Sequence, residues 1–337
     1  MSTGPIVCFG ELLLRLSAPG RELLMQSHRL DIVVGGAEAN VAVGLACLDH
    51  PTRMVSIVPD NPLGRGAVAA VRAHGVDCSG VRTGDGRMGL YFLSPGAGLR
   101  ASDIVYDRAG SAFALAAPDA IDWHAALAGA ARLHLSGITP ALGPNTAQAA
   151  IAAARAARDL GVPVSFDGNY RARLWEAWDS DPRGVLSELV GLADLFFGNY
   201  RDMGLLLGRE FSGDGPDRRR EAAQAAFDAF PNLTRIASTA RHVDDADHHR
   251  LSARLDLRDG SFQTEEIDVS GIVDRIGGGD AFAAGILHGI HDGLSGQATV
   301  EAGLALACLK HSLPGDASLF RRADIDAFLA GGRDVRR

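Results

Sequence analysis

Asp274-Arg275-Ile276-Gly277-Gly278-Gly279-Asp280-Ala281-Phe282-Ala283-Ala284-Gly285 carries the strongest signal in the chain. Three glycines run straight into an alanine-rich apolar stretch, the pattern of a tight turn opening a helix. Without side chains, such a turn can lay several N–H groups against an anion at the positive end of the helix dipole. Asp280 in that position has a plain reading, as a helix cap. It also has a sharper one, as a general base that takes the proton from a hydroxyl attacking a γ-phosphate.

Upstream, the chain alternates strands with helices. Ile6–Phe9 reads as a short buried strand closed by Gly10, and a double glycine, Gly35-Gly36, opens a helix over Ala37–Leu48. Strand Val55–Val58 and helix Gly64–His74 follow. From Trp123 the rhythm is regular: helix to Ala131, strand Arg132–Ser136, helix Asn145–Leu160, strand Pro163–Phe166, helix Pro182–Gly191, strand Asp194–Phe197, helix Arg219–Phe230 and strand Arg235–Ala237. Two hairpin-like strands, Leu251–Leu257 and Ser261–Ile267, precede long helices from Gly279 and Thr299. The alternation predicts an α/β fold with a mostly parallel sheet covered on both faces. Short strands near 11–34 and 88–112 are left over for a small subdomain within one domain spanning 1–337.

Thirty-three basic against 41 acidic residues leave a net charge of −8, so no overall positive field favours nucleic acid or an anionic membrane. An anionic substrate must be met by local arginine. Of the basic residues only Lys310 is lysine. With no glycine loop before it and no Ser or Thr directly after it, Schiff-base, phosphate-loop and protein-kinase lysine chemistries lose their ground. Cys8, Cys47, Cys78 and Cys308 are scattered and read as reduced packing residues. No basic leader and no run of about 18 apolar residues is visible, so a cytoplasmic protein is expected.

Residue by residue, Asn40 on the first turn of its helix suggests a small polar ligand approached closely by backbone at Gly35 and Gly36. Tyr91, Tyr106 and Arg108 lie in the leftover strands, where they could cover a sugar acid. Arg108 suits a bidentate contact with a carboxylate, and Arg171, just past strand Pro163–Phe166, suits a carboxylate or phosphate at the strand's C-terminal edge. Their plainer readings are lid packing and surface charge. The cluster His242-Val243-Asp244-Asp245-Ala246-Asp247-His248-His249 lacks regular ligand spacing and reads as a solvated loop.

The 274–285 stretch resembles the C-terminal signature of the ribokinase-like (PfkB-type) carbohydrate kinases, and Gly35-Gly36-Ala37-Glu38-Ala39-Asn40-Val41-Ala42 resembles their N-terminal glycine-rich signature. The resemblance covers essentially the full chain. It also takes in Asp60-Asn61-Pro62-Leu63-Gly64, Leu90-Tyr91-Phe92, Tyr106–Ala112 and Asp167–Trp175. Arg275 stands where the family usually has Thr, a form similar to that of members acting on 2-keto-3-deoxygluconate. The resemblance implies a three-layer α/β/α sandwich with a small β-sheet lid, ATP and Mg²⁺, and a possible monovalent cation. It implies catalysis by Asp280 with Gly277, Gly278 and Gly279, and substrate binding by Gly35, Gly36, Asn40, Tyr91, Tyr106, Arg108, Arg171 and Asp316. Asn169, Tyr170, Asn199, Ser238, Thr239, Arg241, Gly277 and Gly279 face the nucleotide. No residue is assigned as a direct metal ligand.

Two departures stand out. Asn199-Tyr200-Arg201-Asp202 has Asp where the family often has Glu, and the usually Gly-rich nucleotide loop reads Ser238-Thr239-Ala240-Arg241. The expected activity is phosphorylation of 2-keto-3-deoxygluconate at its 6-hydroxyl. A fructokinase-like sugar kinase and a silent sugar-binding protein on the same fold are the alternatives. A nicotinamide dehydrogenase is excluded, since no G-x-G-x-x-G follows the first strand. Lid edges predict at least a dimer.

Overall fold

The computed structural model describes residues 4–332. Its strands are β1 (Ile6–Phe9), β2 (Leu13–Ser17), β3 (Asp31–Gly35), β4 (Thr52–Pro59), β5 (Asp77–Gly84), β6 (Gly89–Ser94), β7 (Asp103–Asp107), β8 (Arg132–Ser136), β9 (Val164–Asp167), β10 (Leu195–Phe197), β11 (Arg235–Asp245), β12 (His248–Leu257), β13 (Gly260–Gln263) and β14 (Ile267–Ser270). The main sheet runs β13-β12-β11-β10-β9-β8-β1-β4-β5, with β14 beside β12. It is parallel from β11 to β5, and β12, β13 and β14 add an antiparallel edge.

Strand alternation separates two cores. Along β1, Ile6 and Cys8 face helices Ala37–Cys47, Gly278–His291 and Gly296–Lys310, while Val7 and Phe9 face helices Pro144–Asp159, Pro182–Leu192 and Gly215–Ala229. The result is an α/β/α sandwich of the ribokinase-like type. The four cysteines are free and buried. A second sheet, β3-β2-β6-β7, forms the lid; its inner face packs Leu13, Tyr91, Leu93, Ile104 and Tyr106. No helix among the described residues is long and apolar enough to cross a membrane.

Several elements differ from the sequence reading. Helix Trp123–Leu127 stops short of Ala131, because Gly129 turns the chain at φ 70°. Helix Pro62–Arg72 starts two residues early, where Asn61 Oδ1 accepts from the Leu63 and Gly64 amides. The largest difference is β11. It runs for eleven residues, so Ser238–Arg241 is mid-strand rather than a loop, and the histidine-rich stretch is the end of a β11–β12 hairpin.

Candidate active site

Parallel strands β1, β8, β9 and β10 all end at one edge of the sheet, the side on which open α/β folds bind ligands. Two helices aim their N-termini at this edge. Gly277 caps the 278–291 helix in the left-handed region, at φ 78°. A Cβ there would lie 1.6 Å from the Asp316 carbonyl oxygen, so only glycine fits. Gly279 has open space around it, and Gly278 packs against the His311 ring. First-turn amides of a helix lack intrahelical acceptors and are free to meet an anion. Gly277→Ala is therefore expected to cost about 2 kcal/mol or more in stability and to raise KM for ATP, measured by thermal melting and initial rates. Unchanged values would place the turn outside the site.

On the same first turn, Asp280 accepts a hydrogen bond at Oδ2 from Asn40 Nδ2, 2.7 Å away, on the first turn of the 37–47 helix. Asn40 thus fixes the carboxylate, and Asp280 Oδ1 has no hydrogen-bond partner among the described residues. Burial pushes the Asp280 carboxyl up to about 8; the Asn40 hydrogen bond opposes the shift and Asp167, Asp316 and Glu38 add to it. Glu38 lies on the same turn as Asn40. Its Oε1 accepts from the Ser136 amide, Ser136 Oγ and Thr139 Oγ1, and burial raises its carboxyl as well.

The lid closes over this edge through buried ion pairs. Arg15, on β2, lies 2.7 Å from Asp274 and 2.8 Å from Asp316. Asp316 also accepts from Tyr91 Oη at 2.7 Å, and a Cβ on Gly35 would lie 2.3 Å from the same oxygen. Both Asp316 oxygens are thus engaged within the protein, and Asp316 fixes Tyr91 and Arg15. Gly36, at φ 137°, packs directly on the Glu11 carbonyl. Tyr106 tilts against Tyr91 with ring centroids 6.3 Å apart. Arg108 is buried, and its Nε donates to Glu11 Oε2 at 2.6 Å. Lys310, fully buried, donates to the carbonyls of Asp274 and Leu313, so the chain's single lysine braces the glycine turn.

Three arginines lie within electrostatic reach of one another. Arg171, Arg241 and Arg275 lie close enough that Arg275 and Arg171, after burial, lower Arg241. None has a carboxylate within ion-pair distance among the described residues, a cluster that calls for a polyanion such as a triphosphate. Along β11 the side chains alternate, so Thr239 and Arg241 face the 278–291 helix while Ser238 faces the other side. Asn169, at φ 36°, donates its amide to Asp167 Oδ1, and Tyr170 beside it is exposed. Asn199 is engaged as a helix cap, accepting from the Arg201 amide and donating its own amide to Asp202.

That cap turns Asp202 back toward β9, where a Cβ on Gly168 would lie 3.3 Å from Asp202 Oδ1. Burial, and then Asp202, push the Asp167 carboxyl up to about 7, and burial raises Asp202 too. Two desolvated carboxylates close to one another form a hard-oxygen donor set suited to Mg²⁺. Sequence reasoning missed Glu11, Arg15, Glu38, Asp167, Asp274 and Arg275 as members of this cluster, while Asp202 stood out as an Asp where the family often has Glu. The one available signal was that several lie inside the quoted motifs.

Comparisons with known proteins identify the family. The sequence profile described as pfkB family carbohydrate kinase matches residues 4–320. The chain is 32% identical to a 2-dehydro-3-deoxygalactonokinase of Haloferax volcanii over 98% of both chains. It is 29% identical to a 2-dehydro-3-deoxygluconokinase of Bacillus subtilis, covering 98% of this chain and 96% of the relative. It superposes on the crystal structure of 2-dehydro-3-deoxygluconokinase from Thermotoga maritima with a TM-score of 0.92 and 35% identity, covering 97% of this chain and all of the other. A family profile over nearly the whole chain and a relative 32% identical over 98% of both chains show that the chain belongs to the pfkB family of carbohydrate kinases.

Proposed function

We propose that this carbohydrate kinase transfers the γ-phosphoryl group of ATP to the 6-hydroxyl of a 2-keto-3-deoxy sugar acid, 2-keto-3-deoxygluconate first among them. The observation that carries the reading is Asp280, held by Asn40 with one oxygen free, on the helix turn that the glycines open. In this reading Asp280 removes the hydroxyl proton as that oxygen attacks the γ-phosphorus and the bond to the ADP leaving oxygen breaks. The Gly277–Gly279 turn and the helix dipole meet the charge on the transferred group, and Arg171, Arg241 and Arg275 hold the phosphates. Asp167 and Asp202 would hold Mg²⁺, which supplies charge neutralisation on the phosphate oxygens when bound. Lid closure through β2 and β6 excludes water as a competing acceptor.

Relatives named for both the gluco and galacto acids support a substrate class of 2-keto-3-deoxy acids rather than a single epimer. Coupled ADP-release assays across 2-keto-3-deoxygluconate, its galacto epimer, gluconate and fructose test it. The keto-deoxy acids should show the highest kcat/KM, and phosphorus coupling to the carbon-six protons should mark the product. Preference for fructose would overturn the substrate while leaving the kinase.

The lid's outer face carries a cross-strand apolar row, Ile32–Leu16–Phe92–Val105, with Ile32 and Val105 exposed. A row of this kind across a whole sheet face is suited to a second copy, and a dimer is part of the proposal. Ile32→Glu with Val105→Glu should halve the mass seen by light scattering. A monomeric wild type would end the idea.

A further inference from the structure

At the opposite end of the 278–291 helix from Asp280, His50 and His288 set Nε2 and Nδ1 2.8 Å apart. His50 sits in the turn between the 37–47 helix and β4, and both rings are buried. Asp292, which ends the helix, places Oδ1 3.9 Å from His50 Nε2 and Oδ2 3.6 Å from His288 Nδ1. The three ligand atoms all lie within 4.8 Å of one another. Phosphoryl transfer uses none of them, since eight residues of helix, or roughly 12 Å, separate His288 from Asp280.

We propose that His50, His288 and Asp292 form a second, structural metal site that takes Zn²⁺ or a similar borderline divalent transition metal, with water as its fourth ligand. Two imidazole nitrogens and one carboxylate oxygen are a donor set that selects such ions over Mg²⁺ or Ca²⁺. Metal–ligand bonds of about 2.0–2.1 Å in a tetrahedron put neighbouring ligand atoms about 3.3 Å apart. The His50 Nε2–Asp292 Oδ1 separation, 3.9 Å, stands above that value and the nitrogen–nitrogen separation, 2.8 Å, below it. Opening the His50–His288 contact by about 0.5 Å, with a turn of the Asp292 carboxylate that brings Oδ1 closer by a similar amount, sets tetrahedral spacing.

Arg322 is the cation that contacts the cluster among the described residues. Its Nε donates to the Leu48 carbonyl and its Nη1 pairs with Asp292 Oδ2. This leaves Asp292 Oδ1 for the ion, with Arg322 as the outer partner that orients a ligating carboxylate. The His291 ring stands edge-on to His50 with centroids 5.0 Å apart. The bound ion would pin the 48–51 turn to the C-terminal end of the helix whose first turn carries Asp280.

Tag-free protein, stripped with a chelator and then freed of it, is titrated with Zn²⁺ by calorimetry without nucleotide or Mg²⁺. One equivalent should bind, Tm should rise with Zn²⁺, and Co²⁺ should give the visible bands of a four-coordinate ion. His288→Asn and Asp292→Asn should each weaken binding tenfold or more and abolish the Tm response. The exposed hairpin, where His242 and His248 stand near Asp244, Glu266 and Asp268, is the rival binder. His242→Ala with His248→Ala must therefore leave the equivalent in place. No binding to wild type, or binding that survives in Asp292→Asn and vanishes in the hairpin variant, overturns the site. Should His288→Asn fail to fold, Asp292→Asn and the wild-type Co²⁺ spectrum decide.

Discussion

Asp280→Asn should lower kcat by about 10² or more, the scale of a lost general base, while ATP still binds. The same substitution should make the protein more stable, because the two properties draw on the same carboxyl. Burial pushes Asp280 up to about 8 in the folded chain, far above the usual carboxylate range. Between about pH 4 and pH 8 the folded state therefore keeps a proton that the unfolded chain has released, and stability falls as pH rises through this window. Asparagine never ionises. Its advantage in Tm should be present at pH 8, measured in EDTA so that no divalent ion offsets the charge, and should shrink toward pH 4. In the active enzyme, kcat/KM should still be climbing between pH 6 and 8, since only the ionised form of Asp280 accepts a proton. Near-normal turnover in a folded Asp280→Asn protein would remove Asp280 from the chemistry, and a lower Tm at pH 8 would remove the strain argument.

What could be read from the sequence follows from how local each signal is. The Gly277–Gly279 turn, Asp280 and Asn40 were legible because glycines, a helix start and a polar first-turn residue are contiguous patterns with a physical meaning of their own. Arg15, Glu11 and Asp274 were not, because each looks like an ordinary charge in a short strand or turn until the lid folds over the edge and buries it. Arg108 was legible as a guanidinium in the lid, but its partner Glu11 lies 97 residues away. The β11 hairpin was missed because Ser238-Thr239-Ala240-Arg241-His242 has no apolar alternation. Ten ladder partners on β12 hold it as a strand, and tertiary pairing overrode the local pattern.

The Glu11–Arg108 pair changes what an arginine substitution can report about the substrate. Arg108 and Glu11 are both nearly inaccessible, at 4% and 1% side-chain exposure, so Arg108→Ala leaves a buried carboxylate without its partner. Breaking a buried pair from one side costs about 3–5 kcal/mol. The same variant should raise KM for 2-keto-3-deoxygluconate tens-fold or more, and the two effects are confounded in one measurement. Removing both charges separates them. Glu11→Leu with Arg108→Met deletes the unpaired charge and should recover most of the lost stability, since apolar residues of similar volume in place of a buried ion pair are often close to neutral in cost. If the terminal amino groups of Arg108 receive the substrate carboxylate, KM for the keto-acid stays high in the double variant while KM for ATP stays near wild type. If Arg108 serves only to neutralise Glu11, the double variant regains both stability and a normal KM. That second outcome would shift carboxylate recognition to Arg171, which has no acidic partner within ion-pair distance among the described residues and whose removal would then carry the loss.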